Sequence, residues 1–398
     1  MDAAEYDVVV CGAGVAGVAA AVSAARLGGK TALIEKQCLI GGLATSGLIY
    51  VYLPLCDGYG NQVIRGISEE MLWRSVEYGP FDVPENWGGP ARGYTCIKDE
   101  RYQCCFTPAG FTLTLDSMLK EAGVDLWLDS VIIGANANDS AISSIKVFNS
   151  SGIVEVKGKC FVDATGGAFL VQLAGGRVHR SGNRVTPWVL EMSNEPESFH
   201  FTGPLHVQGA WKSASDSSLE DMGHDVEWAD CGSGRGVTGF VRESWQLMRM
   251  RYDEFKEGSL KREVYPVNLP AMPQMRKIAH IDALKILTDK DRGAAFPDSV
   301  GFAGDWRCPA PVWDTPYRAL LPRDVGNTLA AGRCIGASED AWEVFRVIPV
   351  AAMTGEVAGI AAALCAERGI SPEKLEYSLL KEALDKARDL LYRPVSHA

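Results

Sequence analysis

Residues Val8 to Gly29 read VVVCGAGVAGVAAAVSAARLGG, and they place Gly12, Gly14 and Gly17 in a G-x-G-x-x-G array. No other stretch limits the fold as tightly. An apolar run of strand length, Tyr6 to Cys11, precedes the array, and an alanine-rich helical segment, Val15 to Leu27, follows it. Thr31 to Lys36, TALIEK, reads as a second strand carrying a carboxylate, Glu35, near its end. Strand, glycine turn, helix and second strand is the context in which such an array cradles a dinucleotide. Gly12 permits the tight turn, Gly14 lets backbone approach a pyrophosphate, and Gly17 lets the helix pack on the strand. The helix start, around Ala16, offers N–H groups and the positive end of its dipole to phosphates. Glu35 lies 18 residues after Gly17, where its carboxylate can accept hydrogen bonds from ribose hydroxyls and would repel a 2′-phosphate. NADP is therefore disfavoured at this site.

After Glu35 and Lys36 the chain continues QCLIGGLATSG, with Gly41 and Gly42 followed by Leu43, Ala44 and Thr45. This order resembles the FAD oxidoreductases of the glutathione-reductase-like fold, and more narrowly those related to the fumarate reductase flavoprotein. Three further segments carry the resemblance. They are CFVDATGGAFLVQLAGG (Cys160–Gly176), TPYRALLPRDVGNTLAAGRCIGAS (Thr315–Ser338) and FRVIPVAAMTGEVAGIAAALC (Phe345–Cys365). The likeness runs from end to end but is patchy between Arg177 and Asp314.

The resemblance implies an α/β fold, with a Rossmann-like FAD-binding domain built from discontinuous segments and an inserted mixed α+β substrate domain. It assigns 1–58, 105–176 and 325–398 to the first and 59–104 and 177–324 to the second. It implies FAD as cofactor, with contacts from the residues named so far and from Val131, Ala164, Thr165, Gly166, Gly332, Arg333, Arg346, Val347 and Pro349. Gly42 to Gly47 would pass along the isoalloxazine. Pro at the start of a helix is favoured because its missing N–H would be unsatisfied anyway. The small-residue helix Val350–Leu364 after Pro349 would aim its positive end at the flavin pyrimidine. Local patterns agree: Phe111–Ala122 reads as a helix stopped by Gly123, Val124–Ile133 as one strand, and Cys160–Ala164 as another.

Composition and missing motifs narrow the chemistry. The 398 residues carry a net charge of −11, which opposes general nucleic-acid binding. Eleven cysteines include no C-x-x-C pair, so neither a zinc site nor a disulfide framework is expected, and no metal site is assigned. The acidic start MDAAEY runs straight into the first strand, and no segment reads as a membrane span, so the expected location is cytoplasmic. RPVSHA reads as a C-terminal tail. Disulfide reductases of this fold carry a C-x-x-x-x-C pair; here Cys38 and Cys56 lie far apart and flank Gly41-Gly42. No second G-x-G-x-x-G follows a strand-like apolar run, so no site for a nicotinamide cofactor is expected. Gly332-Arg333-Cys334 stands where aromatic hydroxylases have G-D-A.

The expected activity is hydride transfer between flavin N5 and a small organic substrate, in either direction. The alternatives are a flavoprotein acting on RNA and a flavin-binding subunit of a larger redox complex. For catalysis the segment MPQMRKIAHID offers Arg276 as an anion clamp and His280, four residues on, as a proton carrier; they would share one helical face. Tyr50 and Tyr52, alternating with Val51, are candidate walls of a substrate cavity. Tyr317 is expected to be packing.

Overall fold

The computed structural model describes residues 4–84, 87, 101–138, 140–193, 205–208, 227–228, 230–254 and 264–389. The expected tail, Arg393–Ala398, lies outside them. The chain divides into two compact units: residues 1–41, 51–179 and 279–398 form one, and residues 42–50 with 180–278 form the other.

The first unit is an α/β assembly around a seven-stranded sheet. Strand β1 (Ala4–Cys11) lies at its centre. Val8, Val9 and Val10 are fully buried, as expected of a parallel strand covered on both faces. β2 (Thr31–Ile34) runs parallel to β1, pairing Val10 with Leu33, and the strand Asp125–Trp127 runs parallel to β2. On the other side the strand Gly152–Asp163 runs parallel to β1, and Thr328–Ala330, from late in the chain, adds parallel to the end of that strand. Val131–Asn138 and Ala141–Asn149 complete the sheet as an antiparallel meander.

Helix α1 (Val15–Arg26) is buried almost all round, which explains its alanine and glycine content. It packs against the long helix Ile348–Arg368. That contact is closest at two glycines: a Cβ on Gly355 would stand 2.2 Å from the Ala16 carbonyl oxygen, and one on Gly359 2.1 Å from that of Ala20. The long helix is apolar and long enough to cross a membrane, but 83% of its apolar window is buried inside the protein. It starts at Ile348, so Pro349 is its second residue, and Gly369 closes it in the left-handed conformation.

Two sequence expectations change here. Val124–Ile133 is two strands, because the chain turns at Asp129 (φ +48°) and the Asp129 and Ser130 N–H groups bind the carbonyls of Gln37 and Glu35. Cys160–Ala164 is the end of the 12-residue strand Gly152–Asp163. The helix expected at Phe111–Ala122 spans Pro108–Ala122, with Thr107 capping its start and Gly123 its end.

The second unit contains a three-stranded antiparallel sheet, ordered Leu205–Gln208, Val189–Ser193, Val264–Asn268, and the helix Gly234–Glu254. Glu191 is fully buried and accepts hydrogen bonds from Arg251 and from the Tyr252 hydroxyl, 2.9 Å away. This unit is smaller than the expected substrate piece: the described parts of 59–104 and all of 279–324 belong with the first unit, while Gly42–Tyr50 joins the second. The reason is sequence-distant packing. Tyr52, for example, is fully buried against Phe111 and donates to the Ser68 carbonyl. Tyr50 falls in the second unit, edge-on to Trp188. Tyr52, in the first unit, is core.

Candidate functional site

The glycine turn between β1 and α1 is held to tight limits. Gly12 has φ +95°, and a Cβ there would stand 2.7 Å from the Ala164 carbonyl oxygen. A Cβ on Gly17 would stand 1.8 Å from the Gly12 carbonyl oxygen. Gly14 is different: a Cβ there meets nothing within 4 Å. Space is therefore left at the one glycine whose backbone must approach a ligand. Gly14 is also the N-cap of α1, and no side chain caps that end, so its first N–H groups point at a place fit for an anion.

Glu35 follows β2 and is buried. One carboxylate oxygen accepts the Ala13 N–H at 2.7 Å and the other the Gln37 N–H at 2.9 Å. It is thereby tied to the glycine turn, with lone pairs left for hydroxyl donors. The Gly41 N–H donates to the Ala13 carbonyl, and the Ser130 N–H to the Glu35 carbonyl. The second of these bonds brings Val131, which starts the next strand, beside Glu35. Lys36 follows in the adjoining loop.

The segment Ala164–Gly166 forms the facing wall, and Asp163 fixes it. This carboxylate is fully buried and accepts hydrogen bonds from the Thr165 N–H, the Thr165 hydroxyl and the Val171 N–H. Burial pushes its pKa up, and the Thr165 hydrogen bonds oppose that shift. Arg333 closes the turn from the other side, its Nε donating to the Gly166 carbonyl at 2.6 Å. Trp342 in turn donates to the Arg333 carbonyl at 2.6 Å. Gly332 has φ +73°, and a Cβ there would stand 2.8 Å from the Ala16 Cβ. Sequence reading named Arg333 but missed Asp163 and Trp342; the DATGG stretch holds the only available signal for Asp163, a carboxylate ending an apolar strand.

At the start of the long helix Val347 is the N-cap, and no side-chain cap is present. Arg346 is paired with Glu343, its Nε donating at 2.6 Å. In the second unit Gly42–Ala44 is a single 3₁₀ turn. Thr45 is buried there, with its hydroxyl 3.4 Å from the Gly42 carbonyl oxygen.

The expected helical face of Arg276 and His280 does not form. Asn183 binds both the N–H and the carbonyl of Lys277, so those groups are not available to a helix, and Pro270 and Pro273 disfavour helical backbone just upstream. Arg276 belongs to the second unit and donates to the carbonyls of Gln274 and Thr186. His280 belongs to the first, in the strand Ala279–Ile281. It is buried, edge-on to Trp342 with ring centroids 4.9 Å apart, and its Nδ1 lies 2.9 Å from the Ile281 carbonyl oxygen. Burial lowers its pKa. Tyr317 is packing as expected, donating to the Pro372 carbonyl. No group of metal-ligating side chains occurs among the described residues.

A profile of the FAD dependent oxidoreductase family matches residues 7–234 and 237–384. The chain belongs to this family. Two similar curated proteins are the digeranylgeranylglycerophospholipid reductases of Picrophilus torridus, 30% identical over 168 residues, and of Thermoplasma acidophilum, 27% over 165. Each alignment takes in 40% of this chain and 39% of the relative, so the chain spans about two fifths of the length of the curated relatives it matches. A solved geranylgeranyl bacteriochlorophyll reductase-like protein from Thermoplasma acidophilum aligns over 98% of this chain and 83% of its own, with TM-score 0.46 and 14% identity. FAD, the cofactor of this oxidoreductase family, supplies hydride transfer when bound. The first unit fits it: the open face of Gly14, the uncapped start of α1 and the Glu35 carboxylate match a pyrophosphate and a ribose.

Proposed function

We propose that this protein moves a hydride between FAD and a carbon of a small organic substrate, and that it stands near the fumarate reductase flavoprotein branch of the family. The observation that carries the reading is the joined set of Gly12, Gly14, Gly17 and Glu35 in one rigid turn. In this reading Gly12 to Gly17 and Glu35 hold the pyrophosphate and ribose. Val131, Ala164–Gly166, Gly332 and Arg333 border the nucleotide half. The resemblance assigns Gly42–Thr45, Arg346, Val347 and Pro349 to the flavin half. Arg276 remains the candidate anion clamp. Proton handling is not given to His280, because a buried ring packed on Trp342 is better explained as core. The reductase names of the curated relatives make reduction the first direction to assay.

The described cysteines are free, most of them buried, which suits a reducing compartment. Cys38 is exposed and Cys56 buried, and neither is needed for the proposed transfer. The test is to purify the chain, release its cofactor by denaturation and identify it, then mix the holoprotein anaerobically with pooled metabolites. FAD should be released, and at least one pool should bleach the oxidised flavin or reoxidise the reduced form. Cys38→Ser and Cys56→Ser should behave as the parent. A chain that cannot be reconstituted with FAD would end the reading, and loss of bleaching in either cysteine variant would revive a thiol mechanism.

A further inference from the structure

The first unit holds a cavity of about 690 Å³ away from the glycine turn. Four helices line it: the C-terminal end of α1, α2 (Ile67–Ser75), the long helix Ile348–Arg368, and the final described helix Tyr377–Asp389. It meets α1 at Ser23–Leu27, whereas the nucleotide turn meets α1 at Gly14–Gly17. At 1.5 Å per residue these ends are separated by roughly 10–15 Å, so the cavity is no extension of the cofactor site.

Its size is that of a small-molecule site. Leu27, Ile360, Leu364 and Leu379 form an apolar floor and walls. The charged groups are unevenly disposed. Glu70 is nearly buried and already taken up by Arg26, in a two-pronged pair at 2.7 and 2.9 Å, and by Arg74. Arg74 is also paired with Glu121. Glu356 is buried and accepts one bond at each carboxylate oxygen, from the Ile67 N–H and the Arg388 guanidinium. Three cations face water at the edge, each from near the C-terminal end of a different helix: Arg26, Arg368 and Lys386. Arg368 and Lys386 pair with the exposed carboxylates Glu367 and Glu382, of which only Glu382 lines the cavity. Arg26, Arg368 and Lys386 each keep N–H donors beyond those bonds.

We propose that this cavity binds an amphiphile, its alkyl chain on the Ile360–Leu364–Leu379 surface and its anionic head among Arg26, Arg368 and Lys386. The proposal rests on the cavity alone and not on the redox reading. It is a ligand site separate from the site of hydride transfer.

Alkyl phosphates are the probe, used on the full-length FAD-loaded protein below their micelle concentrations and followed by calorimetry. Affinity should rise about fourfold with each added methylene until the cavity is filled and then level off. Ala383→Trp, on a half-exposed helix face, should weaken binding at least tenfold by filling the cavity. Lys386→Gln, at an exposed position, should weaken it severalfold. Both variants should keep parental flavin absorbance and melting temperature, which separates loss of the site from loss of the fold. The proposal is overturned if no chain length gives saturable binding. It is equally overturned if Ala383→Trp, folded and FAD-loaded, binds like the parent, or if an alkyl trimethylammonium of equal length binds as tightly as the phosphate.

Discussion

At Gly14 and Gly17, three residues apart, one added methyl group should have opposite effects. Gly14→Ala adds a Cβ where nothing lies within 4 Å, at φ −66° and ψ 176°, which alanine adopts without strain. The apoprotein should melt within about 0.5 kcal/mol of the parent, yet FAD should bind at least tenfold more weakly, because the methyl group takes the space that a pyrophosphate needs. Gly17→Ala should damage the fold itself, its Cβ lying 1.8 Å from a carbonyl oxygen. Apoprotein melts and FAD titration distinguish the two; unimpaired FAD affinity in Gly14→Ala would place the phosphates elsewhere. Glu35→Ala should weaken FAD by about 2–4 kcal/mol through lost charged hydrogen bonds, and should also loosen the turn, since Ala13 and Gln37 lose their acceptor. His280 gives a pH prediction. Burial lowers its folded pKa below the ordinary value of 6.5, so the unfolded chain binds the proton more readily. Its neutral form supports the fold fully above that ordinary value, and the support declines as pH falls from there towards the folded pKa. His280→Asn should lower stability at neutral pH and flatten this part of the acid limb in urea melts taken across it; an unchanged slope would show that His280 does not titrate differently on folding.

At the scale of elements, the contact between α1 and the long helix depends on Gly355 and Gly359. Gly359→Ala drives a methyl group to 2.1 Å from the Ala20 carbonyl oxygen, so the helices must part. The expected cost is about 1–3 kcal/mol in a denaturant melt, with Gly14→Ala as the tolerated comparison; a neutral result would mean the helices slide apart freely. This scale also shows what the sequence discloses. The β1–turn–α1–β2 unit was legible because its signals are local: a β-branched run, three glycines at fixed spacing, and an alanine-rich face. The same holds for Pro349 near a helix start and for Gly123 at a helix end. The break at Asp129 was not legible, because it is set by hydrogen bonds to Gln37 and Glu35, about ninety residues earlier. The irregular course of 272–278 was hidden in the same way, since Asn183 takes the backbone groups of Lys277. Helical spacing between Arg276 and His280 was an accident of counting along a chain that is not helical there. Asp163 was overlooked because a buried carboxylate that serves only its own turn carries no motif.

For the whole molecule, the interleaving of segments matters more than any one contact. The central sheet takes β1 from the first residues and Thr328–Ala330 from far along the chain, and α1 is covered by a helix that begins at Ile348. Residues 42–50 and 180–278, which form the other unit, lie between these pieces in sequence. Chains are synthesised from the N-terminus, and early segments generally begin to fold first. For this protein that order has a cost. When Gly12, Gly14 and Glu35 leave the ribosome, the α1 face that packs on the long helix has no cover, and it must wait for more than three hundred further residues to be added. A ribosome stalled before Ile348 therefore holds a nascent chain with its glycine turn already made and its most apolar helix bare, a natural target for chaperones, and stable capture of FAD becomes an event of the finished polypeptide.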